Sequence, residues 1–322
     1  MIRLFLDNRT AVLLLLPFII GLYVVGDMLA VEHHISNRTD GLFFNTTTTS
    51  NFWSYFGQSF LILVNAVLLN AVFNNYEFLD KNTYIISLIY VVLTPMFVPL
   101  NQFSPVLIAH FFFIASLGVL FQLKQNIDGK MTIFNAALLL SIAIIFLPYL
   151  IILIPVMLMM IVINRSFNLR EFFICIIGIG VPFIYYFSYL YLTDQFVFNW
   201  KLPSFQMHNY RSALHLYPIV IIYIGLLIIS LLSLSARMLK SSLRLKKQIQ
   251  MLSLVFTLLF LLGCADFYFS GSLFYFSLAI IPLTYFLTYA FLSKRSGIPA
   301  NIFFYIALLY SFVKFFLNFT QL

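Results

Sequence analysis

Two polar segments set between long apolar runs hold the residues best suited to do chemistry. The first gathers Asp27, Glu32, His33, His34, Arg38 and Asp40 within a fourteen-residue window. A carboxylate such as Asp27 or Glu32 serves as a general base toward a hydroxyl, or as a hard oxygen ligand for a divalent cation. Adjacent histidines point apart on a helix or a strand, so His33 and His34 do not share one metal, and no metal and no cofactor is expected. Asp27 is the sharpest member. It follows the apolar run from Ala11 to Val25, which puts its carboxylate at a membrane edge, where ionisable groups are costly and are functional candidates by default. The plain alternative is a solvated polar loop.

The second segment reads His208-Asn209-Tyr210-Arg211-Ser212-Ala213-Leu214-His215, with Lys201 upstream. In helical register Arg211 and His215 are one turn apart on one face. The planar fork of Arg211 suits a phosphate, Lys201 adds a second cation, and His208 or His215 can move a proton. The competing account is an interfacial helix start with Arg and Tyr as headgroup anchors. Asn65, Asn70, Asn74, Asn75 and Glu77 make a third group; the steps 70, 74 and 77 share a helical face. They imply hydrogen bonds between helices, or alternatively a polar pathway. His110, in a Phe-rich run, reads as a buried, hydrogen-bonded structural histidine, and Asp266 as a second carboxylate at a membrane edge.

The elements that must position these groups are helices in a bilayer. Of the 322 residues 62% are hydrophobic and 9% charged, whereas soluble domains carry about 25% charged residues. A spanning helix needs about 20 apolar residues, and the apolar runs fall at 10–26, 56–73, 83–99, 104–122, 132–147, 149–163, 171–191, 215–235, 250–265, 272–292 and 298–317. The expected fold is all-α: one polytopic transmembrane bundle over residues 1–322, with about eleven spans. The run 132–163 is broken only at Pro148-Tyr149. Read as one pass, it would reverse every later loop and place Arg237, Lys240, Arg244, Lys246 and Lys247 outside, against the rule that cytoplasmic loops carry the positive charge. Two short helices or a re-entrant hairpin turning at Pro148 keep the order.

The N-terminus is then inside and the C-terminus outside, with fourteen of the eighteen Lys and Arg inside and Arg38, Lys201, Arg211 and Lys314 outside. The net charge of +8 is thus an orientation signal, and no nucleic-acid partner is expected. Arg237, Lys240, Arg244 and Lys247, spaced 3, 4 and 3, read as one basic stripe on a helix leaving the membrane, attracted to anionic lipid. Arg165, Arg170 and Glu171 read as stop charges. Cys175 and Cys264 lie near opposite faces and read as buried inert thiols. The first helix, despite Ala30 behind it, reads as an uncleaved span. A phosphate-cradling Gly-rich loop with Lys, a GxSxG elbow, the histidine boxes of membrane di-iron enzymes and voltage-sensor arginine ladders are all absent from the sequence.

Through Asn65-Ala-Val-Leu-Leu-Asn-Ala-Val-Phe-Asn-Asn-Tyr-Glu77 and the stretch from Arg170-Glu171 to Pro182, the chain resembles a family of uncharacterised bacterial polytopic inner-membrane proteins. In layout it also resembles two groups of membrane glycosyltransferases that use polyprenyl-linked sugars. Likeness to the GT-C type maps the acids of the first outside loop onto Asp27, Glu32 or Asp40, although the tight acidic pair and soluble C-terminal domain of that type are missing. Likeness to O-antigen polymerases and ligases maps their Arg and His onto His208, Arg211 and His215, in a shorter loop. Both resemblances imply glycosyl transfer at the outer face: Lys201 and Arg211 bind the phosphates of a polyprenyl-phosphate-linked sugar, and Asp27, Glu32, His208 or His215 activates the acceptor. The alternative is a transporter, or a non-enzymatic membrane component of a larger complex, with membrane lipids as its surroundings in every case.

Overall fold

A bilayer core offers the backbone no water, so an apolar run must close its hydrogen bonds internally, and a helix does this within one segment. The computed structural model describes residues 2–7, 10–29, 52–79, 81–98, 100, 104–123, 129–165, 168–193, 217–239, 241–270, 273–292 and 297–317. All regular secondary structure among them is helical. In chain order the α-helices are α1 (Ile2–Leu6), α2 (Leu16–Leu29, entered through a 3-10 turn Thr10–Leu15), α3 (Phe52–Asn75), α4 (Ile85–Phe97), α5 (Pro105–Phe121) and α6 (Lys130–Phe146). A 3-10 segment, Pro148–Ile152, leads into α7 (Leu153–Asn164), followed by α8 (Leu169–Leu192), α9 (Tyr217–Met238), α10 (Leu243–Ser270), α11 (Phe274–Leu292) and α12 (Gly297–Leu317). Seven segments are long and apolar enough to cross a membrane; Ile85–Phe97, Pro105–Phe121, Lys130–Phe146 and Pro148–Asn164 are shorter apolar helices.

A chain of contacts joins one set of helix ends into a single pole. The Tyr84 amide donates to the Phe5 carbonyl, and Gln122 Nε2 donates to the Tyr76 hydroxyl. The Tyr289 hydroxyl donates to the Phe78 carbonyl, Arg244 pairs with Glu77, and Lys247 Nζ donates to the Asn164 carbonyl. Lys81, Lys130, Arg165, Arg170, Arg237, Arg244, Lys246 and Lys247 all sit at this end, which we term the basic pole. Among bases whose side chains are described, Lys314 alone is at the opposite pole.

The turn at Pro148 is visible in the same contacts. A Cβ at Gly129, just before α6, would collide with the Arg165 guanidinium, just after α7. The two ends of 130–164 therefore meet at the basic pole, so the segment goes out and returns. Next, α8 runs parallel to α6: Ser141 Oγ donates to the Ile179 carbonyl, and a Cβ at Gly178 would lie 2.8 Å from Ala137 Cβ. Gly178 is required there because the two backbones approach too closely for any side chain.

The core is centred on α4 and α11. Every residue of α4 from Ile85 to Met96 is buried, and α11 is almost wholly enclosed, whereas most of α8 and α12 faces outward. Phe73, Phe78 and Tyr285 interlock with ring centroids 5.0–5.6 Å apart, fastening α3 to α11 near the basic pole.

Three expectations are corrected. The basic stripe is split between two helices: Arg237 ends α9 while Arg244 and Lys247 open α10, because Ser242 starts a new helix by accepting from the Leu245 amide. Cys264 is exposed rather than buried. Arg165 and Glu171 are more than stop charges, since they form an ion pair at 3.2 Å with side chains only 15% and 4% exposed.

Candidate functional site

At the pole opposite the bases, three helices bring together an acid, a phenol and an ammonium. Asp27 sits in the last turn of α2 and is 7% exposed, so the first span runs past it rather than ending before it. The Tyr55 side chain, buried near the start of α3, hydrogen-bonds to Asp27. Lys314, near the end of α12, lies within the electrostatic field of the Asp27 carboxylate. Its Nζ donates to the Pro95 carbonyl and, at 3.2 Å, to that of Met96.

Local sequence explains each placement. The last carbonyls of any helix have no partner in the helix. In α4 that end is forced inside the bundle, since Pro95 lies in its last turn and the sequence continues with Pro99 and Pro105, which resist helix extension. Lys314 supplies the missing donor. The Tyr23 hydroxyl and Ser311 Oγ, 2.8 Å apart, tie α2 to α12 one turn inward. Asp27 follows Tyr23 by four residues and Lys314 follows Ser311 by three, so this bond sets the register that faces acid to ammonium. Opposite charges at this depth are expensive unless they are also hydrogen-bonded; Tyr55 bonds to Asp27 and the α4 carbonyls accept from Lys314.

Beside this cluster an apolar groove of about 300 Å³ runs between α2 and α3, with Pro17 and Leu63 at its inner end, Phe60 along its wall, and Met28, Phe52 and Tyr55 at its outer end. From Pro17 to Met28 it follows α2 for about 16 Å, at 1.5 Å per residue. Tyr55 belongs to both features: its ring lines the groove and its side chain bonds to Asp27. The site thus joins a long apolar slot to a buried carboxylate with an ammonium in its field.

Of the residues singled out from sequence, Asp27 is the one placed here. Glu32, His33, His34, Arg38, Asp40, Lys201, His208, Arg211 and His215 lie outside the described residues. Asp266 is inside α10 and 6% exposed. His110 is fully buried with Nδ1 2.9 Å from the Tyr90 hydroxyl. Asn74 is bonded in both directions to the Thr83 backbone, but Glu77 lies beyond the end of α3 with φ 55° and turns outward to Arg244. Lys314 and Tyr55 escaped the sequence reading. Lys314 counts there as one more outside charge, although a lysine inside the apolar stretch Tyr310–Leu317 is itself a signal, because such a residue needs a partner.

No curated protein and no solved structure matches the chain. Residues 41–224, more than half of the sequence, match the family of unknown function DUF6427. The match takes in both segments that suggest an uncharacterised membrane-protein family. The chain belongs to DUF6427.

Proposed function

We propose that this membrane protein acts at the outer face of the bacterial inner membrane on a polyprenyl-phosphate-linked sugar, transferring the glycosyl group in cell-envelope glycan assembly. The outer face is taken as the pole of Asp27, because the bases gather at the other end and positive charge marks the cytoplasmic side. The observation that carries the reading is the junction of slot and charge pair at Tyr55. An amphiphile with a long apolar tail and an anionic head would lay the tail along α2 and α3 and present its head at the outer pole.

In the proposed reaction the acceptor hydroxyl oxygen forms a bond to the sugar's anomeric carbon, and the bond from that carbon to the phosphate oxygen breaks. Polyprenyl phosphate or diphosphate leaves with the bonding electrons, and the acceptor's proton passes to Asp27, or to Glu32, His208 or His215. Lys201 and Arg211 hold the donor phosphates. The test is glycan profiling of a deletion strain carrying wild-type, Asp27→Asn or Arg211→Ala protein at equal membrane levels. The proposal requires loss of a lipid-derived glycan, restored by wild type alone; full restoration by both variants would end it.

A second reading, transport, is favoured by one observation. The break between α4 and α5 exposes helix-end carbonyls that hold the Lys314 ammonium, and transporters coordinate cations at such discontinuous helices. An unchanged glycan profile with defective solute uptake would select it.

A further inference from the structure

A line of polar side chains runs through the interior of the bundle, where α3 and α4 pack antiparallel. Thr83, just before α4, and Ser87, Tyr90 and Thr94 on it are spaced 4, 3 and 4 residues apart, so they share one face. All four are buried to 3% exposure or less. Opposite them α3 presents Asn74, Asn70 and Asn65. Asn74 bonds to Thr83, that register sets Asn70 against Ser87, and Asn65, whose Nδ2 donates to the Leu107 carbonyl on α5, lies near the Tyr90 hydroxyl. From α5, His110 adds its imidazole to the Tyr90 hydroxyl. The line spans about 16 Å from Thr83 to Thr94 and ends one residue from the Pro95 carbonyl that receives Lys314, beside Asp27.

Ordinary interhelical bonding leaves such groups satisfied, and here it does not. Thr83 Oγ1, Asn70 Oδ1, Asn65 Oδ1 and His110 Nε2 are buried with no hydrogen-bond partner. An unsatisfied buried polar group costs about 1–3 kcal/mol, and four of them gather along this seam, two on α3, one just before α4 and one on α5. Buried water takes two to four polar partners and occupies sites of this kind.

We propose that this seam holds a file of water molecules and conducts protons between the basic pole and the Asp27–Lys314 cluster. His110 and Tyr90, 2.9 Å apart, form the link at its middle. A proton from water bonds to the bare Nε2 of His110 as the Nδ1 proton passes to the Tyr90 oxygen and the Tyr90 hydroxyl proton passes to the next water. Each bond formed replaces one broken, no electron moves, and a flip of the His110 ring, which returns its proton to the nitrogen facing Tyr90, together with rotation of the hydroxyl and the waters resets the link. The ionisable groups that face the route are Tyr90 and His110 within it, and Asp27, Lys314, Tyr23 and Tyr55 at its end. The inference stands apart from glycosyl transfer, which needs only the outer pole.

The test uses the full chain in vesicles of phosphatidylethanolamine and phosphatidylglycerol with a trapped pH-sensitive dye, driven by a potassium gradient and valinomycin. Acidification should exceed that of protein-free vesicles by about tenfold, and Tyr90→Phe, which removes one hydroxyl from a chain of hydrogen bonds, should return it close to the protein-free rate. Val91→Ala, off the seam, should conduct as wild type does. Should Tyr90→Phe fold poorly, judged by elution and unfolding temperature, Ser87→Ala carries the same expectation. Wild-type vesicles no leakier than protein-free ones, or a folded seam variant conducting like wild type, would overturn the proposal.

Discussion

Replacing Lys314 by Met keeps the length of the side chain and removes its charge, so it isolates what the ammonium does beside Asp27. Two consequences follow. The Pro95 and Met96 carbonyls lose a charged donor, and hydrogen bonds to charged groups contribute about 1.5–3 kcal/mol each. Asp27, only 7% exposed, loses its countercharge, and breaking a buried pair from one side costs about 3–5 kcal/mol. The two terms overlap, Tyr55 still bonds to Asp27, and Lys314 is only half-buried, so the net loss should lie near the lower bound, about 3 kcal/mol. Lys314→Met should therefore unfold roughly 5 °C or more below wild type in a thermal scan of detergent-solubilised protein. The decisive comparison is a double-mutant cycle. With Asp27→Asn as well, no carboxylate is left uncompensated, and the double variant should recover about 2 kcal/mol relative to the sum of the singles. Additivity within about 0.5 kcal/mol would mean that Asp27 and Lys314 do not interact, and the site would dissolve into two separate interfacial charges.

Other perturbations probe the scaffold. Tyr149, at the Pro148 turn, packs its ring 5.3 Å from Tyr275 at the pole opposite Gly129 and Arg165. Tyr149→Cys should react with an impermeant thiol reagent from the side opposite to Lys130→Cys, and labelling of both from one side would refute the hairpin. Gly178→Leu should cost about 3 kcal/mol or more, because its first atom alone lies 2.9 Å from the Phe134 carbonyl, beyond ordinary overpacking; an unchanged melting temperature would show that α6 and α8 are further apart. Arg165→Ala should destabilise by about 3 kcal/mol by leaving Glu171 buried without its partner, and Glu171→Gln on the same background should restore much of the loss; failure to restore would locate the effect in packing against Gly129.

Helix positions and the Pro148 turn are legible in sequence because both rest on local physics. Apolar length fixes what must be helical, and the placement of charge requires residues 130 and 165 to share an end, where the Arg165–Gly129 contact puts them. Side-chain partnership across long separations is not legible. Asp27 reads as an unusual acid, but nothing local assigns it a lysine 287 positions away, and their approach depends on the Tyr23–Ser311 register. Arg165 and Glu171 fail for a related reason: the six-residue spacing suits no single helix, and the two belong to the end of α7 and the start of α8. The polar face of α3 can be seen as a pattern, but its partners on α4 and α5 cannot, because antiparallel register is set by packing.

In the proposed function a polyprenyl-linked anionic head is held beside Asp27 with its tail between α2 and α3. Photo-crosslinking with a polyprenyl diphosphate bearing a photoreactive group on its chain, followed by peptide mapping, tests it most directly. Adducts are expected within 17–28 and 52–63, suppressed by excess unlabelled polyprenyl diphosphate and by Ser59→Trp, which places a bulky ring in the groove lining. Adducts spread over the outward faces of α8 and α12 as densely as over the groove, or labelling indifferent to competitor, would contradict it.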